Sequence, residues 1–300
     1  MSTLGDPAIT GNNVADQRAA AATATTADAA RAGAGQAPAS AQGWSPAGVP
    51  SRNWARLPLG LIIPAALLAA WQLASSSHMF TVVQLPPPAM VLEAAGELLE
   101  RGELGTHIAI STQRVLIGFL LGAALGLVLG ATVGLSKIAD ALLAPTIGAL
   151  RAVPSLAWVP LLILWLKIGE DSKVTLIIIG AFFPVFTTVS LALRHVDRNL
   201  VEAARAFGLN GVRLLTTVQL PAVVPAVFSG LRLALAQAWL FLVAAELIAS
   251  SMGLGFLLMD SQNNGRTDRL FLAIVMLAVI GKITDALLGL AEKWAVKRWA

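Results

Sequence analysis

Long uncharged apolar runs dominate this chain, and the clearest of them covers residues 115–136. Those 22 residues carry no charged side chain, and a helix of that length crosses a hydrocarbon core of about 30 Å. Backbone polar groups in lipid must bond within their own segment, which favours helices. Further apolar runs occupy residues 57–77, 141–166, 174–193, 222–248 and 270–290, and three of these, 141–166, 222–248 and 270–290, include one or two charged residues. The pattern predicts an all-α integral membrane protein with six transmembrane helices.

The composition supports a lipid-exposed chain. Of the 300 residues, 56% are hydrophobic and 13% are charged, whereas soluble domains carry roughly 25% charged residues. The net charge is +4, but the basic residues stand at the ends of apolar runs, which indicates a role in topology and not nucleic-acid binding. The chain contains no cysteine, which excludes disulfides and Cys-ligated metals.

Two regions differ in composition. Residues 1–43 are rich in Ala, Gly, Thr, Ser and Gln, which predicts a disordered cytoplasmic tail ahead of a membrane domain at residues 44–300. A transit peptide is the alternative interpretation, but Asp6, Asp16 and Asp28 argue against it.

Charge placement predicts the orientation. Arg52 and Arg56 precede the first run, so the positive-inside rule puts the N-terminus in the cytoplasm. Counting spans then puts the C-terminus and loop 195–221 there too, and residues 194–213 carry four arginines against two carboxylates. The acidic stretch 89–104 is expected to be a solvated helix on the outer face, in preference to a metal site.

Two membrane features have alternative interpretations. The first is a glycine stripe with four-residue spacing, which predicts close helix packing either inside one subunit or at a dimer or gate interface. It consists of Gly118, Gly122, Gly126, Gly130 and Gly134. The second is a set of charged residues, Arg151, Arg232 and Glu246, near or inside the runs. They are candidates for lining a translocation pathway, or the arginines pair with a carboxylate such as Glu246 or cap a helix end.

Loop 195–221 contains a compact polar segment that is predicted to form two short helices. Asn199 is the expected N-cap of the first helix, with Glu202 in the reciprocal capping position. Gly208, Asn210 and Gly211 are expected to form the turn. Pro221 is expected to end the second helix, because proline lacks the amide proton that continuation needs.

The same segment carries a resemblance to a known family. Glu202-Ala203-Ala204, then Gly208, then Leu220-Pro221 is similar to the EAA loop of ABC-importer permeases, with Val218 in place of the usual Ile. The stretch 151–173 and Gly281-Lys282 with Asp285 resemble the aliphatic-sulfonate, taurine and nitrate branch, and the aliphatic-sulfonate permeases above all. The resemblance covers about residues 55–298.

This resemblance implies a type I importer permease in the bacterial inner membrane, with a homodimeric pore. Its implied partners are cytoplasmic ABC ATPase subunits and a periplasmic substrate-binding protein. The residues implied to couple the pore to the ATPase are Glu202, Ala203, Ala204, Gly208, Leu220 and Pro221. The implied substrate is a small organic anion such as an alkanesulfonate, with taurine or nitrate as alternatives.

Other functional classes are disfavoured by missing motifs. Gly281-Lys282 is the one Gly-Lys pair, and Met276 replaces the upstream glycine of a P-loop, so the chain is not expected to bind ATP or another cofactor. HExxH and GxSxG are also absent, and the chain is not expected to be an enzyme. A secondary transporter or channel working alone remains the alternative, which would need buried ionisable residues to couple ions.

Overall fold

The computed structural model describes residues 56–77 and 79–299, so the predicted tail, residues 1–43, lies outside the described residues. Within them the secondary structure is helical, with turns and short connections. The chain divides into two units, residues 1–62 and 63–300. The contacts described below all lie in the second unit.

The helices are numbered in chain order. They are α1 (Arg56–Ser76), α2 (Pro88–Glu100), α3 (Glu103–Leu135), α4 (Lys137–Ala152), α5 (Trp158–Leu166), α6 (Glu170–Arg194), α7 (Arg198–Ala206), α8 (Gly211–Leu214), α9 (Leu220–Ala249), α10 (Leu254–Asn263) and α11 (Thr267–Trp299). A 3₁₀ turn, Ser155–Ala157, precedes α5, and a π-helical segment, Leu215–Gln219, joins α8 to α9.

Four helices among the described residues are long and apolar enough to cross a membrane. They are Glu103–Leu135, Glu170–Arg194, Gly211–Ile248 and Thr267–Arg298. A fifth span results if α4 and the bent 155–166 segment are counted as one broken span. In α1, the described apolar part, Ile62–Ser76, is shorter. The all-helical membrane fold is therefore confirmed with four to five candidate spans, and the count of six remains a prediction.

The glycine stripe of α3 packs against α6 of the same chain. A Cβ on Gly126 would lie 2.8 Å from the Val185 Cβ and 2.9 Å from the Phe182 carbonyl oxygen. A Cβ on Gly122 would lie 2.6 Å from the carbonyl oxygen of Ile178. Only glycine allows the two backbones to approach this closely. Of the two interpretations left open by the sequence, the structure shows close packing inside one subunit.

Two large hydrophobic clusters hold the described membrane helices together, and a smaller third one joins α3, α4 and α6. The larger surrounds α6 and α9, where Ile177, Ala181 and Leu242 have no exposed surface. The second joins α2, α10 and α11 through Leu98, Leu257 and Leu272, while Trp71 of α1 stacks on Phe271. The connection between the runs 222–248 and 270–290 therefore includes the packed helix α10.

Several helix boundaries differ from the sequence-based expectation. The helix predicted to span from residue 115 begins at Glu103, and the additional turns include the buried Ser111 and Arg114, which pair with Glu246 of α9. Helix α4 begins at Lys137, after the single residue Ser136, whose Oγ caps it. The helix of the run 174–193 likewise begins earlier, at Glu170.

Candidate functional site

Loop 195–221 opens with a short amphipathic helix, α7. The carboxylate of Asp197 accepts a hydrogen bond from the Asn199 backbone N–H at 2.8 Å, so Asp197 is the N-cap and the prediction of Asn199 was wrong. Both residue types cap well, and the cap lies two residues earlier than expected. Glu202 instead accepts a hydrogen bond from Arg198 Nε at 2.7 Å, one helical turn away.

The turn after α7 has the backbone that its glycines predicted. Gly208 has φ +80° and Gly211 has φ +55°, a region that side chains other than glycine enter at a cost. The N–H of Leu209 bonds to the Ala204 carbonyl at 3.1 Å, which closes the helix end. A Cβ on Gly208 would meet nothing within 4 Å, so inside this chain the position is constrained by φ and not by space.

Pro221 does not end a helix, contrary to the prediction. Helix α8 passes through the π-helical segment 215–219 into α9, and Pro221 lies in the first turn of α9. A π-type segment shifts the hydrogen-bond pattern locally, and the first turn of a helix tolerates the missing amide proton. Leu220-Pro221 therefore marks the entry of the loop into a membrane span.

The loop presents a mixed apolar and charged surface. Glu202 and Ala203 are exposed, whereas Ala204 is buried against its own chain. Phe207 is 87% exposed and Val212 is 75% exposed. Large apolar side chains this exposed on an ordered loop are typical of a protein-binding surface.

Glu246, a pathway candidate from the sequence, lies in a buried ion network. Its side chain has no exposed surface. It accepts hydrogen bonds from Arg114 Nη1 at 2.7 Å, from Ser111 Oγ at 2.8 Å and from the Gly255 N–H at 2.8 Å. The buried carboxylate is thus fully engaged, as a charge at this depth requires. Its partner is Arg114, and neither Arg151 nor Arg232 contacts it.

Arg114 connects this carboxylate to a second one. Its Nε and Nη2 donate to the two carboxylate oxygens of Glu170 at 2.6 and 2.5 Å, and Glu170 also accepts from Lys173 at 3.0 Å. The network therefore ties α3, α6 and α9 together. The sequence analysis missed Arg114, which stands one residue outside the predicted span. The sequence signal that could have identified Arg114 as a partner was its charge, opposite to that of Glu246, beside an apolar run.

The other two pathway candidates, Arg232 and Arg151, do not pair with Glu246, and they have no partner in common. Arg232 makes a bidentate ion pair with Asp285 at 2.9 Å and a longer one with Glu292 at 3.5 Å. It lies in an open cavity of about 760 Å³ beside α11. Arg151 donates from Nη1 to Thr187 Oγ1 at 3.1 Å and lines a different cavity, of about 340 Å³.

A surface cluster joins the acidic helix α2 to the start of α11. Glu97 accepts hydrogen bonds from Arg269 at 3.0 Å and from Arg266 at 3.3 Å. These bonds hold the pKa of the Glu97 carboxyl below its ordinary value. Over residues 56–77 and 79–299, no group of three or more His, Asp or Glu side chains is placed to hold a metal ion.

The sequence matches a defined protein family. The family model described as binding-protein-dependent transport system inner membrane component matches residues 122–297. A relative from Escherichia coli (strain K12), named an aliphatic sulfonates transport permease protein, is 41% identical over 251 residues, 83% of this chain and 95% of that protein. The taurine transport system permease protein of the same organism is 33% identical over 226 residues, 74% of this chain and 82% of that protein.

A solved structure supports the fold independently. A chain of the MetNI methionine ABC transporter, in inward-facing conformations, has a TM-score of 0.52 and 21% identity. The match covers 69% of this chain and 99% of that chain. At this identity the likeness concerns the fold.

Proposed function

The chain belongs to the family of binding-protein-dependent transport system inner membrane components, and from this premise we propose that it carries a small organic anion, an alkanesulfonate first, into the cell. It is a permease subunit of an ABC importer and not a catalytic subunit. The choice of anion is supported by 41% identity to the sulfonate permease of Escherichia coli, against 33% to its taurine permease. Taurine and nitrate remain the alternatives.

The proposed assembly contains two copies of this chain in the inner membrane, each with six spans and both termini in the cytoplasm. In this arrangement α1, the first helix along the chain, is a span in addition to the five candidates, and its apolar sequence begins at residue 57. A periplasmic binding protein would deliver the substrate, and two ATPase subunits would bind the cytoplasmic loops. Family membership favours this assembly over a transporter that works alone, since the family's own description names a binding-protein-dependent system.

The observation that carries the proposed coupling role is the exposed, ordered loop between α6 and α9. Glu202, Ala203 and Phe207 face away from the chain and would dock in a cleft of the ATPase. Ala204 packs on the inner side and would hold α7 to the membrane helices. Because α8 continues through the π-helical segment into α9, movement of the docked loop would be transmitted directly to a span.

In the proposed cycle, ATP binding closes the ATPase dimer and moves the docked loops. The spans then change between inward-open and outward-open arrangements, which is a rigid-body transition biased by a remote ligand. Residue Gly208 sets the angle between α7 and α8 through its φ of +80°, so its backbone determines how the docked helix is held.

The coupling role is tested with Gly208→Asp and Glu202→Lys. We expect both variants to insert normally but to lose binding-protein-stimulated ATP hydrolysis by about tenfold or more, since an interface hot spot contributes ~2 kcal/mol. The measurement is ATPase activity of the purified complex in lipid nanodiscs, with co-purification of the ATPase as a second readout.

A matched control is Gly265→Asp, at another positive-φ glycine with open space around its Cβ. It introduces the same backbone strain away from loop 195–221 and should leave coupling intact. Full complex formation and full stimulation in both loop variants would refute the coupling role.

A further inference from the structure

An amphipathic cavity of about 340 Å³ lies between α6 and α9, with the end of α4 at its rim. One part of its lining is polar and the other is apolar. The polar part consists of Arg151, Ser155, Thr187, Thr188 and Gln237, and the apolar part includes Phe183, Leu233 and Phe241. A volume near 300 Å³ or more is sufficient for a small organic molecule.

Arg151, the charged residue of this cavity, differs in its partners from Arg114 and Arg232. Arg114 and Arg232 each make ion pairs with two carboxylates. Among the residues that the structure describes, Arg151 makes no ion pair, and its Nη1 bonds to the neutral Thr187 hydroxyl at 3.1 Å. A guanidinium with neutral neighbours retains its capacity to bind an oxyanion through two parallel N–H groups.

The helix that carries Arg151 ends at a sharp break in the backbone, a feature common at binding sites in membrane transporters. Helix α4 and the 155–166 segment meet at an angle of 80°, and Pro154 stands between them. Irregular backbone at membrane depth is tolerated where it is buried in protein or lines a cavity, and broken helices of this kind form substrate sites in transporters. Ser155, the first residue after the break, lines the cavity.

The cavity extends into the membrane interior. Thr187 lies seven residues before the last residue of α6, Arg194, which places it roughly 10 Å along the helix axis from that end. Gln237 lies 17 residues after the first residue of α9, Leu220, or roughly 25 Å along that axis. A ligand in this cavity would therefore be within the spans.

We propose that this cavity is a substrate-binding site of the permease itself, for an organic anion with a compact oxyanion headgroup and a short alkyl chain. The headgroup oxygens bind Arg151, Thr187 and Ser155, and the alkyl chain packs on Leu233 and Phe241. The proposal rests on the proposed transport of organic anions and extends it. Selectivity then resides partly in the pore, through headgroup charge and alkyl length.

The first test measures binding without the periplasmic protein. Purified permease–ATPase complex in nanodiscs, free of nucleotide, is titrated with butane-1-sulfonate by calorimetry. Arg151→Gln should weaken binding about tenfold to a hundredfold, the range expected for charge-assisted hydrogen bonds. The matched control is Lys137→Gln, an exposed cation at the opposite end of the same helix, which should bind as the wild type does.

The second test examines the apolar wall, with a readout that misfolding does not reproduce. Leu233→Trp narrows this wall, so the affinity for octane-1-sulfonate should fall more than the affinity for methanesulfonate. Equal affinity in the wild type and Arg151→Gln, or an unchanged chain-length preference in Leu233→Trp, would overturn the site.

Uptake into proteoliposomes separates the two proposals. If the complete importer transports butane-1-sulfonate while Arg151→Gln binds and transports it as the wild type does, the cavity site is wrong and the proposed substrate class stands. If the complete wild-type importer transports no alkanesulfonate, the proposed substrate class is wrong and the site falls with it.

Discussion

At the scale of single residues, the buried carboxylate of Glu246 has the largest consequences. It accepts hydrogen bonds from Arg114, Ser111 and the Gly255 N–H, so three parts of the chain depend on one side chain. A Cβ on Gly255 would lie 2.7 Å from the Glu246 Cβ, so the approach is close. Removing Glu246 would leave Ser111 and the Gly255 N–H without their acceptor and would leave Arg114 with Glu170 as its one remaining carboxylate.

We expect Glu246→Leu to lower the free energy of unfolding by about 3–5 kcal/mol, the usual cost of breaking a buried ion pair. Glu246→Gln keeps an oxygen acceptor for Ser111 and should cost less, about 1–3 kcal/mol. Thermal denaturation in detergent measures both. Glu100→Gln, at an exposed carboxylate of α2, serves as the control, and a Leu variant as stable as this control would contradict the structural role.

At the scale of elements, the pairing of α3 with α6 determines how the membrane helices pack. Five glycines at four-residue spacing bring the backbones together, and a Cβ on Gly126 would already lie inside normal contact distance. A larger side chain here must separate the helices or distort them.

Gly126→Leu should therefore destabilise the protein by about 1–3 kcal/mol or more, measured as a lower denaturation midpoint. Gly148→Leu is the matched control in α4, because a Cβ there would meet nothing within 4 Å. Gly148→Leu should leave the denaturation midpoint unchanged or raise it slightly, because leucine has a higher helix propensity than glycine. Equal stability of the two variants would show that the stripe is not a packing surface.

At the scale of the whole molecule, the predicted topology assigns each loop to one side of the membrane. The chain contains no cysteine, so single cysteines introduced by mutation can be labelled without removing others. Phe207 in loop 195–221 and Gln262 at the end of α10 are both exposed. The predicted topology places them on opposite sides.

A membrane-impermeant maleimide should label Gln262→Cys in intact cells and Phe207→Cys only after the membrane is opened. Labelling of both in intact cells, or the reverse pattern, would refute the proposed orientation. The measurement also tests the docking surface, because bound ATPase should protect Phe207→Cys in opened membranes.

Much of the fold follows from local sequence. The apolar runs predicted membrane helices near residues 115–136, 174–193, 222–248 and 270–290, and long helices occupy all four. Gly208 and Gly211 predicted the positive φ of the turn after α7. These features depend on neighbouring residues along the chain, through hydropathy, helical rise and the absence of a side chain, so one sequence is sufficient to read them.

Tertiary structure alone decided the features that depend on distant residues. Arg114 and Glu246 are 132 residues apart, and no local pattern states that they pair. The partner of the glycine stripe, the burial of α10 and the continuation of α9 through Pro221 likewise depend on which helices meet. Arg151 and Arg232 look alike in the sequence, but packing places Arg232 beside two carboxylates and Arg151 beside the neutral hydroxyl of Thr187. The sequence determined which segments enter the membrane, and packing determined which charges are neutralised there, because neutralisation requires contact in space.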